Sequence, residues 1–326
     1  MADRALGPRV RLLMDGVAVL YIAAIAVAAQ FSGWYYLLFP ELGAISDDVL
    51  TRPWGKWARQ PGRLLLTPVL GAAVGTLITR ELPYHVLTIV LIVVGCLLLL
   101  AVLKSNISPA ISAGVLPLVL GAKSWFYPLS IALGLVVLVA ILLLWRWVYR
   151  RKYPGSFDVS AKDVDDVLET PPSTKKWIFP FFAFVTVMGL SATASGLRFI
   201  LFPPLIVIAY EMFAHPSTCP WARKPVTLPI ACCVTSATGL LAVNLLGSNG
   251  IAAVAAMVCG IVALRLLRIH MPPALAVGLL PLIINSPDLK YPISVTIGTA
   301  ALTLAFLLYR RWNAGQGRAD DKLLKT

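Results

Sequence analysis

Lys104 and Arg268 lie 164 positions apart, at the same step of a repeated pattern. Each closes an apolar run and is followed two residues later by a polar side chain, Asn106 or His270. Prolines then open a further apolar piece, Pro109 in one case and Pro272-Pro273 in the other, with Gly114 and Gly278 a few residues on. Proline suits the first turn of a helix, where its missing N–H is not needed. The free N–H groups and the dipole at a helix start attract anions, and a neighbouring cation would draw an anion toward them. Glycine lets a substrate or another helix come close. Lys104, Arg268, Asn106, His270, Pro109, Pro272, Pro273, Gly114 and Gly278 are therefore the candidate substrate-binding residues, for a small anion. A plainer role is open for each. The cations could snorkel to headgroups as topology anchors, and the prolines and glycines could kink and pack ordinary spanning helices. His270 could be a proton-linked switch or simply solvated at an interface.

Other chemistry has no residues to carry it. The sequence contains no H-E-x-x-H, nucleophile elbow, Walker loop or C-x-x-C. Its three histidines fall in separate loops, and Cys96, Cys232, Cys233 and Cys259 lie inside apolar runs, as inert buried thiols do. No catalytic residues, metal or cofactor are expected, and the chain does not read as an enzyme. Asp15 and Glu41 stand out as carboxylates inside apolar stretches. Glu41 falls opposite Pro204 and Asp15 near Ile178 in the repeat alignment, so neither is duplicated. Glu41 reads as a helix-terminus or inter-repeat partner rather than a shared proton site. Arg265, one turn before Arg268, reads as pointing into the bundle, and intramembrane charges are functional candidates by default.

The elements that must position these groups follow from composition. Of 326 residues, 59% are apolar and 13% charged, with a mean hydropathy of +0.82, against about 45–50% apolar and about 25% charged in soluble domains. This excludes a soluble domain, a disordered chain, a collagenous repeat and a disulfide scaffold. The expected class is an all-α polytopic membrane protein whose partners are the lipid bilayer and a small anion, not nucleic acid. A bilayer core about 30 Å thick needs about 20 apolar residues. Four stretches approach that length in the first half (12–31, 64–79, 86–103, 125–148) and four in the second (177–194, 226–247, 250–267, 291–309). Shorter apolar pieces lie near 34–48, 107–121, 199–214 and 272–285, each containing or opening at a proline. A 14-residue helix reaches only about 21 Å, so these pieces could be recessed, re-entrant or kinked.

Basic residues gather on the cytoplasmic side of membrane proteins. If each short piece returns the chain across the bilayer, all 28 Lys and Arg except Arg80, Lys123, Arg198 and Lys290 fall on one side. The reading is six crossings per half, both termini cytoplasmic, in a bacterial inner (plasma) membrane. Trp34, Tyr35, Tyr36, Trp125, Tyr127, Trp145, Trp147 and Trp312 read as interfacial belts.

The two halves are a tandem duplication. Ser32-Gly33 and Leu38-Phe39-Pro40 recur as Ser195-Gly196 and Leu201-Phe202-Pro203 at an offset of 163. Beyond a single-residue gap the offset is 164: Trp57-Ala58-Arg59 matches Trp221-Ala222-Arg223, Leu116-Pro117-Leu118 matches Leu280-Pro281-Leu282, and Tyr127-Pro128 matches Tyr291-Pro292. An even number of crossings per unit makes the repeats parallel, a pseudo-dimer within one chain. The division is 1–149 first repeat, 150–176 cytoplasmic linker, 177–312 second repeat and 313–326 polar tail. Each repeat holds about four full spans and two short proline-started helices. The prolines opening successive short pieces lie 69 residues apart in both halves (Pro40 and Pro109, Pro204 and Pro273), which leaves room for an inverted three-plus-three symmetry inside each unit.

These residues resemble the HPP family of integral membrane proteins, named for a His-Pro-Pro motif. Arg268-Ile269-His270-Met271-Pro272-Pro273-Ala274 is similar to that family's basic residue, spacer, His-Pro-Pro and small-residue helix. Phe39-Pro40-Glu41-Leu42-Gly43-Ala44 resembles its Phe-Ala-Ser-Phe-Gly-Ala stretch. Gln60-Pro61 with Gly71 and Gly75, and Tyr127-Pro128 with Gly134, resemble its second and last spans. His270 sits one residue early, Met271 holds the family histidine position, and the first unit has Ile107-Ser108-Pro109 instead. The aromatic-acid exporter group shares a similar Phe-Gly-Ala hairpin but lacks the second proline helix. A plant member of the HPP family is linked to nitrite transport into chloroplasts, so the resemblance implies a transporter or channel for a nitrite-like anion. The alternative is a non-transporting scaffold or sensor that binds a partner or anionic lipid through its basic face.

Overall fold

A computed structural model of the protein describes residues 6–152, 175–216 and 219–323. Most of the expected linker, 153–174, lies outside the described residues. The first half forms α1 (Pro8–Ser32), α2 (Glu41–Thr51), α3 (Lys56–Arg59), α4 (Pro61–Glu81), α5 (Val86–Val102), α6 (Pro109–Leu120) and α7 (Phe126–Lys152). The second forms α8 (Ile178–Ser195), α9 (Pro203–Ala214), α10 (Pro220–Arg223), α11 (Thr227–Leu246), α12 (Gly250–Leu266), α13 (Pro273–Leu279) and α14 (Lys290–Leu323). Among the described residues there is no strand. The protein is an all-α polytopic membrane protein, in which α1, α4, α7, α8, α11 and α14 are long and apolar enough to cross a bilayer. α5 and α12, also expected as spans, have 17 residues each, about 25 Å at 1.5 Å per residue. α14 continues as helix to Leu323, through residues expected as a polar tail.

The long helices turn large apolar side chains outward, among them Leu12, Leu20, Leu133, Val137, Leu241 and Leu304, as lipid-facing surfaces require. The short helices are enclosed. α2 packs on α6 and α13, and α9 packs on α13 and α6, so the four close a central ring. α6 is buried from Pro109 to Val119.

In the first half the segments that hold α2 and α6 run from one end of the bundle to the other. Trp34, just after α1, stacks 5.1 Å from Phe126 at the start of α7. At the other end of α2, the Trp57 indole N–H donates to the Asn106 carbonyl (3.1 Å) before α6, and Arg146 of α7 donates to Ala58 O (2.7 Å). Both α2 and α6 therefore run from one face of the bundle to the other. The 3₁₀ turns at Tyr35–Leu37 and Arg198–Leu201 make up part of the length that α2 and α9 lack.

Two repeated devices fix this ring. Gly75 of α4 lies on the backbone of Gly114 in α6, and Gly239 of α11 lies likewise on Gly278 in α13; a Cβ at either place would meet the facing carbonyl. The glycines thus serve close helix approach. Pro117 and Pro281 cannot donate to the carbonyls four residues back, those of Ala113 and Val277. The Tyr127 hydroxyl donates to Ala113 O at 2.9 Å, and the Tyr291 hydroxyl to Val277 O at 2.6 Å. An unpaired carbonyl in such a core would cost roughly 1–3 kcal/mol. Tyr127, expected at an interfacial belt, is instead 1% exposed, because its hydroxyl is needed inside.

Contacts between the halves are reciprocal. α1 packs on α12 as α8 packs on α5, and α2 on α13 as α9 on α6. Gly250 of α12 meets Val27 of α1, and Gly189 of α8 meets Val86 of α5, the repeat counterpart of Gly250, at a place one residue from the counterpart of Val27. Such pairing is that of an isologous two-fold interface. The α5–α6 and α12–α13 connections both border the segment from Asp48 to Trp57. Equivalent loops thus share a face, and the two-fold axis runs from face to face.

Candidate functional site

The candidate residues separate into three places. Lys104 and Arg268 occupy the position just past α5 and α12 with left-handed backbone, φ +46° and +49°. Ser105 N–H reaches back to Leu100 O (2.9 Å) and Ile269 N–H to Leu264 O (3.1 Å), the closing bonds of a Schellman motif. Both side chains are exposed at the rim, where a cation complements the helix C-terminus. Pro109 and Pro273 open α6 and α13, with Pro272 capping the latter. Gly114 and Gly278 are covered by the opposing helix backbones. Asn106 supplies the carbonyl bound by Trp57.

His270 is drawn into a cluster that sequence reasoning missed. Its Nε2 lies 3.2 Å from Asp48 Oδ1, and the same oxygen accepts from Arg52 Nη1 at 3.2 Å. Asp48 is 4% exposed at the last turn of α2, and Asp47 stands beside it, half-buried. At the offset of 163, the second half places Glu211 for Asp48 and His215 for Arg52. His215 Nδ1 lies 3.1 Å from Glu211 Oε2, and both residues are buried. Arg52 and His215 also share their capping geometry, φ −129° and −128°, with each N–H bonded to the acid's carbonyl. Each half therefore carries an acid–base pair spaced i, i+4 at the basic-face end of a buried short helix. The signal was present in the sequence, but only a comparison of charge class, not of identity, could show it.

Three polar contacts break the two-fold. Arg265 pairs with Asp15 across the halves, where the related contact would join Ala101 and Ile178. Arg265 is thus an inter-repeat partner, with its side chain 43% exposed rather than pointing into the bundle. Glu41 accepts a hydrogen bond from Ser112, where the second half has Pro204 and Ala276. Its partner lies in its own half, so Glu41 does not join the repeats. The Asp48–His270 link also crosses the halves, and its counterpart would join Glu211 to Asn106.

Arg11, Asp48, Arg52, His270, Lys104 and Arg268 gather at one face, and Trp34, Arg80 and Trp125 at the other, where Arg80 lies 5.9 Å from the Trp125 ring. The arrangement can offer an anion the Arg52 guanidinium and the His270 ring that now hold Asp48. Among the described residues no group of three metal-ligating side chains occurs. No protein-family model, no curated protein and no solved structure matches this chain.

Proposed function

We propose that the protein is a secondary transporter or channel for a small inorganic anion, nitrite-like, which enters at the basic face between the halves. The observation that carries this reading is the duplicated acid–base pair at the ends of α2 and α9, in which the acids Asp48 and Glu211 and the base His215 are buried and Arg52 is half-buried. Ionisable groups buried in a bilayer-spanning bundle are costly and belong by default to ion pathways. An anion that displaces the Asp48 carboxylate from Arg52 and His270 would exchange one negative partner for another, and would loosen the contact between α2 and the loop before α13. Lys104 and Arg268 then act outside, raising the local anion concentration at the mouth. The resemblance to the HPP family favours the same substrate class, and the basic face is read as cytoplasmic.

A second reading, a membrane scaffold binding anionic lipid or a partner through that face, is favoured by the closed packing of α6 and α13 against α4 and α11. Uptake of nitrite, nitrate and chloride into proteoliposomes separates the two. Flux above protein-free vesicles that falls in Arg52→Gln supports transport; no flux for any of the three supports the scaffold. Arg268→Gln with Lys104→Gln should lower flux per inserted molecule most at low ionic strength, since exposed charges are screened within about 10 Å at 0.1 M salt. Flux unchanged in the double variant would remove those two residues from the mechanism.

A further inference from the structure

Glu41 is 3% exposed, in the first turn of α2 within the central ring. One carboxyl oxygen takes the Ser112 hydroxyl, and the other, Oε2, is buried without a hydrogen-bond partner. The titratable groups that face it are the phenols of Tyr127 from α7 and Tyr291 from α14; Tyr36 and Cys96 adjoin Tyr127, Cys232 adjoins Tyr291, and Tyr21 from α1 reaches Gly134. The hydroxyls of Tyr21, Tyr127 and Tyr291 are already committed to the carbonyls of Gly134, Ala113 and Val277. α6 and α13 bring no titratable side chain, and Lys56 and Arg59 of α3 lie beyond the far end of α2. No Lys, Arg or His pairs with Glu41 among the described residues.

An ionised carboxylate here would be a buried charge with a free oxygen and no counter-ion, the costliest state available to it. The fold does not require it either. The second half builds the same junction of short helices with Pro204 and Ala276 in place of Glu41 and Ser112. One carboxyl and one hydroxyl are too few oxygens for a metal cation, which takes about six.

We propose that Glu41, with Ser112, is a proton-binding site at the centre of the bundle: the carboxyl holds a proton on Oε2 while the ring is closed and releases it when α2 and α6 part. Under the transport reading above, on which this half of the inference rests, one proton bound and released there per cycle couples the proton gradient to anion movement.

Infrared spectroscopy of the full-length protein in liposomes at neutral pH tests the site without transport. A carboxylic-acid C=O band should be present in the wild type, shifted in Ser112→Ala and absent in Glu41→Gln. A wild-type spectrum in which neither variant removes or moves such a band overturns the site. Ser112→Ala keeps this readout should Glu41→Gln fail to insert. In the same vesicles, accumulation of nitrate driven by a proton gradient should be lost in Glu41→Gln, while exchange of internal for external nitrate persists. Gradient-driven accumulation at wild-type level in Glu41→Gln overturns the coupling. A wild type that shows the band but moves no anion leaves the proton site standing and sinks the transport reading instead.

Discussion

The two halves share a frame and differ in what is mounted on it. Both pack a glycine of a long helix on a glycine of a short one, Gly75 on Gly114 and Gly239 on Gly278. Both repair a proline-orphaned carbonyl with a tyrosine hydroxyl, and both end the first short helix in an acid–base pair whose acid is buried. Yet the Asp15–Arg265 and Glu41–Ser112 contacts occur once each, their counterparts being Ile178 with Ala101 and Pro204 with Ala276. What is duplicated holds the helices together. What is single is polar and dispensable to the frame, with the Asp15 and Glu41 carboxylates buried and the Arg265 guanidinium partly exposed.

This comparison can be broken where the frame is tightest. Gly75→Val and Gly239→Val should each prevent recovery of folded, monodisperse protein, because the new side chain meets backbone that cannot yield; overpacking with room to adjust costs about 1–3 kcal/mol. Folding of one variant but not the other would show that the halves are not equivalent there. A smaller and matched effect is expected from Tyr127→Phe and Tyr291→Phe. Each leaves one carbonyl unpaired, so unfolding in detergent should show a loss of about 1–3 kcal/mol in both.

The single contacts should behave differently. Asp15→Asn should destabilise by about 1 kcal/mol, toward the low end for ion pairs because the Arg265 side chain is 43% exposed. Asp15→Ile with Arg265→Ala, which installs the residues of the other half, should restore stability to near the wild-type value. A double variant worse than Asp15→Asn would contradict the claim that the frame does without the pair. The smallest effect has the opposite sign. Lys104→Gly and Arg268→Gly relieve a left-handed backbone and should each stabilise by several tenths of a kcal/mol, roughly 0.5. A thermal midpoint that fell in both would mean the side chains bind something the frame needs.

Much of the frame was legible because its signals are local. The duplication, the proline-started helices and the all-α membrane class follow from composition and identity at fixed offset. The role of Tyr127 was not legible, since an aromatic near a span end is ordinarily interfacial, and only the ring geometry shows its hydroxyl meeting the carbonyl that Pro117 frees. The Asp48–Arg52 and Glu211–His215 pairs escaped because their identities differ. Arg52 lies within a basic cluster that reads as a topology signal, which concealed its burial partner. Lys104 and Arg268 were found by spacing, but spacing carries no information on backbone conformation, and their left-handed φ puts them at the rim. His270 is the candidate that the structure ties most firmly to the new cluster, through Asp48.

The proposed pathway takes the anion through the contact of Asp48 of the first half with His270 of the second. The direct test places cysteines at those two positions in a chain whose five native cysteines are replaced by serine or alanine, and measures nitrate flux before and after a short thiol cross-linker. Flux lowered by loss of the Asp48 and His270 side chains but still measurable is expected in the unlinked double variant, arrested by the cross-link and restored to that level when a cleavable linker is cut. Full flux through molecules shown by mass spectrometry to be cross-linked would contradict it.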